Sequence, residues 1–557
     1  MLLSRLGLLL MIAVLGVPVV AQDNPLLVTP GTPYQAPPFD LIENEHYLPA
    51  IKEGIRAEQA EVDAIINNPE AATFDNTIVA LDMTGQMLSY VTSVFYSLLG
   101  TDRSPETLEI AKEVSPLMSA HNDNISLDEK VFARVKAVYD QREELDLRAD
   151  QLYLLENKYR RFVRSGALLN ADQKERLREI NREQGLLRLK FSDNVQNETN
   201  NSYIVIESKA DLAGLPDGAI AGAKEAADAM DLPGKWVFTT QRPSMTPFLQ
   251  YAESRRLRGE LYSAYLMRGN RDNDFDNKAV IQKRFTLREE RSRIFGYPTP
   301  AAFTLENRMA GTPEAVNSFL ERLWQPALER AKTELAEMQA IIESQQGGFK
   351  LESSDWWYYA EKLRKAKYDL DDEALRPYFQ LEKVQMGVFL LAEKLFGLKF
   401  VERKDIPGYH PEVKVYEVSE SDGSLLGVLY TDYFPRESKG GGAWSGGYRE
   451  TFMKDSNRVV PLTTVVCNFT KPTSDTPSLL SIGEVRTLFH EFGHAFNSLL
   501  STAVYRGGFA PLDAVEMPSQ VMENWAMEPE LLTLYARHYQ TDEVIPAVLV
   551  DKLKNSK

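Results

Sequence analysis

The chain has 557 residues, of which 43% are hydrophobic and 26% charged, the balance of a globular protein long enough for two lobes. Its net charge of −17 argues against nucleic acid as a partner and against a polybasic membrane contact. A single cysteine, Cys467, excludes any internal disulfide, and its apolar surroundings from Val465 to Phe469 predict a buried thiol.

Residues 1–21 read as a cleavable secretory signal. Arg5 supplies a positive start, Leu6 to Leu15 an apolar stretch too short to span a bilayer comfortably, and Val19-Val20-Ala21 the small residues of a cleavage site. The mature protein is expected to be exported, periplasmic or secreted, with no stable membrane insertion. A Pro-rich lead from Pro25 to Pro38 follows.

Helical periodicity then runs through an N-terminal region placed at 22–245. Leu48, Ile51, Ile55, Val62 and Ile65 recur at helical spacing, as do Leu152, Leu155, Tyr159 and Phe162, and the charged run from Ala171 to Lys190 comes next. Polar residues predict loops over Asn194–Asn201 and Leu212–Ile220. A second region, 246–557, opens with more helices, among them 314–345 and 377–396. Strand-like segments follow at 413–418, 425–433 and 458–469. The run from Lys439 to Tyr448, with three consecutive glycines, reads as a loop beside a cleft or a surface turn, since no Gly-Lys-Ser/Thr follows to cradle phosphate. These elements predict a mainly α protein with a small β-sheet leading into one particular helix.

That helix carries His490-Glu491-Phe492-Gly493-His494. Two imidazoles four residues apart share one helical face and can grip one zinc ion, with the intervening Glu491 as general base. Ser481 and Glu484 form a capping-box pattern at its start. Val485, Leu488, Phe489, Phe492, Phe496 and Leu499 fall on one side; Thr487, His490, Glu491, His494, Asn497 and Ser498 fall on the other. One face should pack into a core while the other faces a cavity. A catalytic zinc takes three protein ligands. Leu500 occupies the place where a third histidine would follow at ten residues, and His538 is the only histidine downstream, which favours a carboxylate among Asp513, Glu516, Glu523 and Glu528. Pro518 favours a helix start there, with Glu516 at its entrance and Glu523 inside; Glu516 is the choice, though spacing barely separates it from Glu523. Asp513, Glu523 and Glu484 are the candidates to orient the ligand histidines.

Three stretches, Asn468 to Pro472, Glu484 to His494 and Val515 to Trp525, with Gly442-Ala443-Trp444 upstream, closely resemble the thimet oligopeptidase family of zinc metallopeptidases, which includes oligopeptidase A and bacterial peptidyl-dipeptidase. The resemblance covers nearly all of the mature chain. It implies that Glu516, the acid before Met517-Pro518-Ser519-Gln520, is the third ligand beside His490 and His494, with Glu491 catalytic and one Zn2+ per chain. It also implies a two-lobed helical fold around a deep central channel, short peptides as substrates, and a monomer. The N-terminal layout and export signal are most similar to peptidyl-dipeptidases, which release C-terminal dipeptides. The alternatives are an oligoendopeptidase cleaving internal bonds, or an inactive peptide- or zinc-binding fragment. The last is motivated by the end of the chain at Lys557, short of the tyrosines and histidine that family members carry further on; the catalytic region reads as incomplete there. Asn497 also departs from the family, which often has a histidine at that place.

Overall fold

The computed structural model describes residues 24–506 and 511–555, so the proposed signal at 1–21 lies outside the described residues. Most of the chain is helical, and among the described residues no helix is long and apolar enough to cross a membrane. The exception to the helical pattern is what positions the site. Strands β3 (Lys399–Glu402), β4 (Lys414–Ser419), β5 (Leu425–Asp432), β6 (Trp444–Arg449) and β9 (Leu462–Val466) form one sheet in the order β3-β4-β5-β9-β6. All its pairings are antiparallel except β5 with β9. Two small ribbons stand apart: β1 (Tyr203–Ile206) with β2 (Trp236–Thr239), and β7 (Met453–Lys454) with β8 (Asn457–Arg458).

Alternation along the strands explains how the sheet is buried on both faces. Leu429, Val418 and Val465 point into a core shared with helix Leu381–Phe396 and with the apolar side of helix Ile482–Leu499. Val428, Tyr430 and Leu462 point the other way, into a core built with Tyr47, Ile51, Leu88, Val91 and Phe95 of the N-terminal helices Asn44–Ile66 and Gln86–Thr101. The sheet is therefore the middle of three layers, with its covering layers drawn from opposite parts of the chain.

The predicted strands 413–418 and 425–433 correspond to β4 and β5, and 458–469 narrows to β9 with the short β8 before it. Helix Pro313–Ser344 matches the expected 314–345. Three readings need correction. Asn194–Asn201 is not a loop but the last turns of helix Ala171–Asn200, because Asn194 donates from Nδ2 to Asn277 Oδ1 at 2.9 Å and is buried there. Leu212–Ile220 is only partly a loop, since a helix begins at Asp217. The glycine-rich run is a loop only to Ala443; from Trp444 it is the edge strand β6. Asn468, just past β9, holds that loop by donating from Nδ2 to Gly440 O at 2.9 Å and Gly442 O at 2.7 Å.

Behind the loop lies a buried ionic cluster. Asp432, at the end of β5, accepts from Arg436, from Tyr409 Oη at 2.6 Å and from Lys439 Nζ at 2.8 Å. Lys439 also donates to Cys467 O at 2.6 Å, and Arg436 donates to Thr101 O, which ties the N-terminal layer to the sheet. Cys467 is buried, and burial pushes its thiol pKa well up.

Candidate metal centre

Helix Ile482–Leu499 starts where the capping box predicted. Ser481 Oγ accepts from Glu484 N at 3.2 Å, and Glu484 Oε2 accepts from Ser481 N at 2.7 Å. Val485, Leu488, Phe489, Phe492, Phe496 and Leu499 are all buried, at about 1.5–3 kcal/mol of apolar transfer each. The opposite side is only partly covered at Thr487, His490, His494 and Ser498, and is exposed at Asn497. Glu491 differs from its neighbours on that side, being 5% exposed.

The second helix of the site, Glu516–Trp525, opens two residues before Pro518. It crosses very close to the first at Gly493, where a Cβ would stand 2.6 Å from Ser519 Cα and 2.8 Å from Pro518 O. That contact brings Glu516 over the two histidines. Its Oε2 lies 3.2 Å from His490 Nε2 and 3.2 Å from His494 Nε2. Ligand atoms of all three residues fall within 4.8 Å of one another, so they could hold a metal ion. The donor set, two imidazole nitrogens and one carboxylate, is of the kind zinc takes in catalytic sites.

The carboxylates left open by spacing now separate by position. Glu523 Oε1 sits 2.7 Å from His490 Nδ1, on the far side of the ring from Glu516, where it fixes the ring's orientation and its tautomer. Glu484 does not reach a histidine; its oxygens accept from Ser481 and from Thr470, and Arg376 lies beside it. Asp513 accepts from Met309 N at 3.2 Å, and the three-residue group holds neither Asp513 nor Glu528. Ser519, which sequence reasoning did not single out, donates from Oγ to Glu516 Oε2 at 2.9 Å. Its only sequence signal was membership in the Pro518-Ser519-Gln520 stretch.

The electrostatics suit a cation. The Ser519 hydroxyl, with help from the histidines, holds the Glu516 pKa below the ordinary value and so keeps it anionic. Burial lowers the His494 pKa, favouring the neutral imidazole that a metal ligand must present. Burial, aided by the nearby Glu516 charge and opposed by His490, raises Glu491 to about 7. Glu491 Oε2 is buried and meets no hydrogen-bond partner among the described residues. A buried carboxylate oxygen with a free lone pair beside three convergent metal donors is placed to accept a proton.

The sequence is similar to known proteins along nearly all of its length. Residues 248–557 match the model of peptidase family M3. The chain is similar to the dipeptidyl carboxypeptidase of Escherichia coli (strain K12), 39% identical over 96% of this chain and 79% of that one. It is 33% identical to Escherichia coli oligopeptidase A over 96% of this chain and 79% of the relative. Saccharolysin of Saccharomyces cerevisiae is 29% identical over 78% of this chain and 63% of its own length. The chain belongs to peptidase family M3, the thimet oligopeptidase family of zinc metallopeptidases.

Proposed function

We propose that this chain is an exported, monomeric peptidyl-dipeptidase that removes C-terminal dipeptides from short peptides. His490, His494 and Glu516 hold its zinc, and Glu491 is its general base. The observation that carries the reading is the convergence of three donors from two helices beside the unpartnered, buried oxygen of Glu491. The resemblance to a dipeptidyl carboxypeptidase favours exo- over endo-cleavage. Export rests on the apolar stretch after Arg5.

When bound, zinc supplies Lewis acidity toward a peptide carbonyl and lowers the pKa of a water to about 7. The chain's own residues do the rest. Glu491 Oε2 takes a proton from the attacking water and returns it to the nitrogen of the leaving dipeptide. Glu523 keeps the His490 ring turned inward, and Ser519 keeps the Glu516 carboxylate on station. Strand β6 stands at the end of the sheet order, so its outer edge is not paired by another strand of that sheet. Its main-chain groups can bind an extended peptide as an added strand.

The test is to incubate the zinc-loaded chain with one peptide in two forms, free and C-terminally amidated, with Glu491→Gln as control. Dipeptide release from the free form alone is the expected result. Equal internal cleavage of both forms would favour an oligoendopeptidase, and no zinc-dependent cleavage of either would overturn the enzymatic reading.

A further inference from the structure

Two cavities flank the polar side of the metal helix, and the charges on their walls distinguish them. The cavity at the C-terminal end, about 990 Å³, is reached by Asn497 and Ser498. Two of its arginines spend their N–H groups on main-chain carbonyls of the surrounding wall: Arg449 donates to Val460 O and Tyr34 O, and Arg458 to Leu426 O and Leu499 O. They act as struts within the fold, as does Arg506, which donates to Asp82 O at 3.3 Å and Thr84 O at 2.7 Å, while the exposed Lys454 donates to Gln86 Oε1 at 3.1 Å.

The cavity at the N-terminal end, about 710 Å³, is reached by Thr487 and bordered by Gly441 and Gly442. Its acids are already matched. Glu484 is held by Ser481, Thr470 and Arg376, and Asp372 accepts from Arg364 at 2.8 Å. Two of its cations are matched as well, Arg376 by Glu373 at 2.7 Å and Lys439 by Asp432 at 2.8 Å. Arg242 and Arg268 are the cations that remain. Arg268 is half-buried, lies 4.2 Å over the Tyr265 ring, and donates only to uncharged oxygens, Tyr265 O at 3.0 Å and Thr199 Oγ1 at 2.7 Å. Arg242 is exposed at the first position of helix Arg242–Tyr251. Among the described residues neither guanidinium makes an ion pair with a carboxylate. Burial first, and the Arg242 charge in addition, depress the Arg268 pKa against the opposing pull of Tyr265 and Glu198. Two like charges share one cavity wall, and the carboxylate nearest in effect on Arg268, Glu198, is already paired with Arg271 at 3.0 Å; such a site is one that an anion would relieve, and a guanidinium can take a carboxylate through two parallel hydrogen bonds.

The spacing indicates which anion. Thr487 lies three residues before His490, about one helical turn or roughly 5 Å along the axis. Two extended residues span at most about 7 Å. A peptide whose third-last carbonyl sits at the metal centre can therefore extend its last two residues as far as Thr487, which lines the same cavity as Arg242 and Arg268. We infer that Arg242 and Arg268 receive the free α-carboxylate of the substrate, which makes this cavity the seat of the departing dipeptide. The inference rests on the peptidyl-dipeptidase reading and deepens it.

Calorimetry on the full chain with alanyl-alanine and its C-terminal amide tests it without any need for turnover. The wild type is expected to bind the free dipeptide at least about 10-fold more tightly than the amide, as loss of a charged hydrogen-bond partner predicts. The Arg242→Gln/Arg268→Gln double variant is expected to bind the two alike, while Arg242→Lys/Arg268→Lys keeps part of the preference. Equal binding by the wild type, or a preference that survives the double glutamine change, overturns the inference. If the double variant fails to fold, Arg242→Gln alone decides, because among the described residues this exposed side chain makes no hydrogen bond that holds the fold: a preference reduced about threefold or more supports the assignment, and an unchanged one overturns it. The peptidyl-dipeptidase reading fails separately, when blocked and free peptides are cleaved alike, whatever the calorimeter shows.

Discussion

Gly493 and Ser519 are in backbone contact: a methyl group on Gly493 would stand 2.6 Å from Ser519 Cα, inside any permitted van der Waals distance. The glycine between the two histidines is thus what lets the helix bearing Glu516 approach the helix bearing His490 and His494. Gly493→Ala should force the two apart. The expected cost is about 1–3 kcal/mol of stability, as for overpacking elsewhere. Zinc affinity should fall on the order of 10-fold or more because Glu516 loses its position. Thermal unfolding and a competitive zinc titration read the two effects, and wild-type affinity in the variant would contradict this account.

Glu491 is not among the metal donors, so its removal should separate binding from chemistry. Glu491→Gln is expected to retain one zinc per chain by elemental analysis and to lose about 100- to 10,000-fold in kcat. A variant that lost its zinc instead would reassign Glu491 to the metal.

Glu516 and Glu523 contact the same histidine from opposite sides, and their variants should differ in degree. Glu516→Ala removes a donor and should abolish stoichiometric zinc at micromolar metal. Glu523→Ala leaves the donors in place and should weaken binding about 10- to 100-fold by freeing the His490 ring. Stripping the wild type with a chelator should abolish peptide cleavage and lower Tm, because a ligand that binds only the folded state stabilises it. The fold should survive, since the metal helix remains packed against the sheet. Circular dichroism before and after chelation checks this.

The Asp432 cluster sets an acid limit on stability. Burial alone would raise the Asp432 pKa, but Arg436 and Lys439 outweigh it and hold the carboxyl below its ordinary 3.8. A carboxyl with a depressed folded pKa contributes stability that is fully present above its unfolded pKa and is lost as pH falls through the folded value. Asp432→Asn should cost about 3–5 kcal/mol at neutral pH, because it strands the buried Lys439 ammonium and removes the nearest carboxylate of Arg436. The difference between variant and wild type should shrink below about pH 4. Urea midpoints measured from pH 7 down to pH 3 test the sign directly.

The metal helix was legible in the sequence because its signals are local: a capping box, a 3.6-residue apolar period and two histidines one turn apart. The approach of Glu516 was less so, since spacing favoured it over Glu523 only narrowly; what separates them is the side of the His490 ring each occupies. Strand β6 escaped because Gly446 and Gly447 remove the alternating side chains by which strands are recognised. The last turns of helix Ala171–Asn200 escaped for the opposite reason. Their asparagines favour loops in isolation, and only a distant partner such as Asn277 makes them helical.

The central sheet also dictates a timetable. Chains are made from the N-terminus, so Phe95 and the rest of the N-terminal apolar layer leave the ribosome long before their partner strand. Val428 follows about 330 residues later, on the order of half a minute at common synthesis rates. Throughout that interval the nascent chain carries an apolar surface with nothing to cover it. The first hundred residues are therefore a natural client for a chaperone, and heterologous yield should respond more to chaperone supply than to changes near the metal.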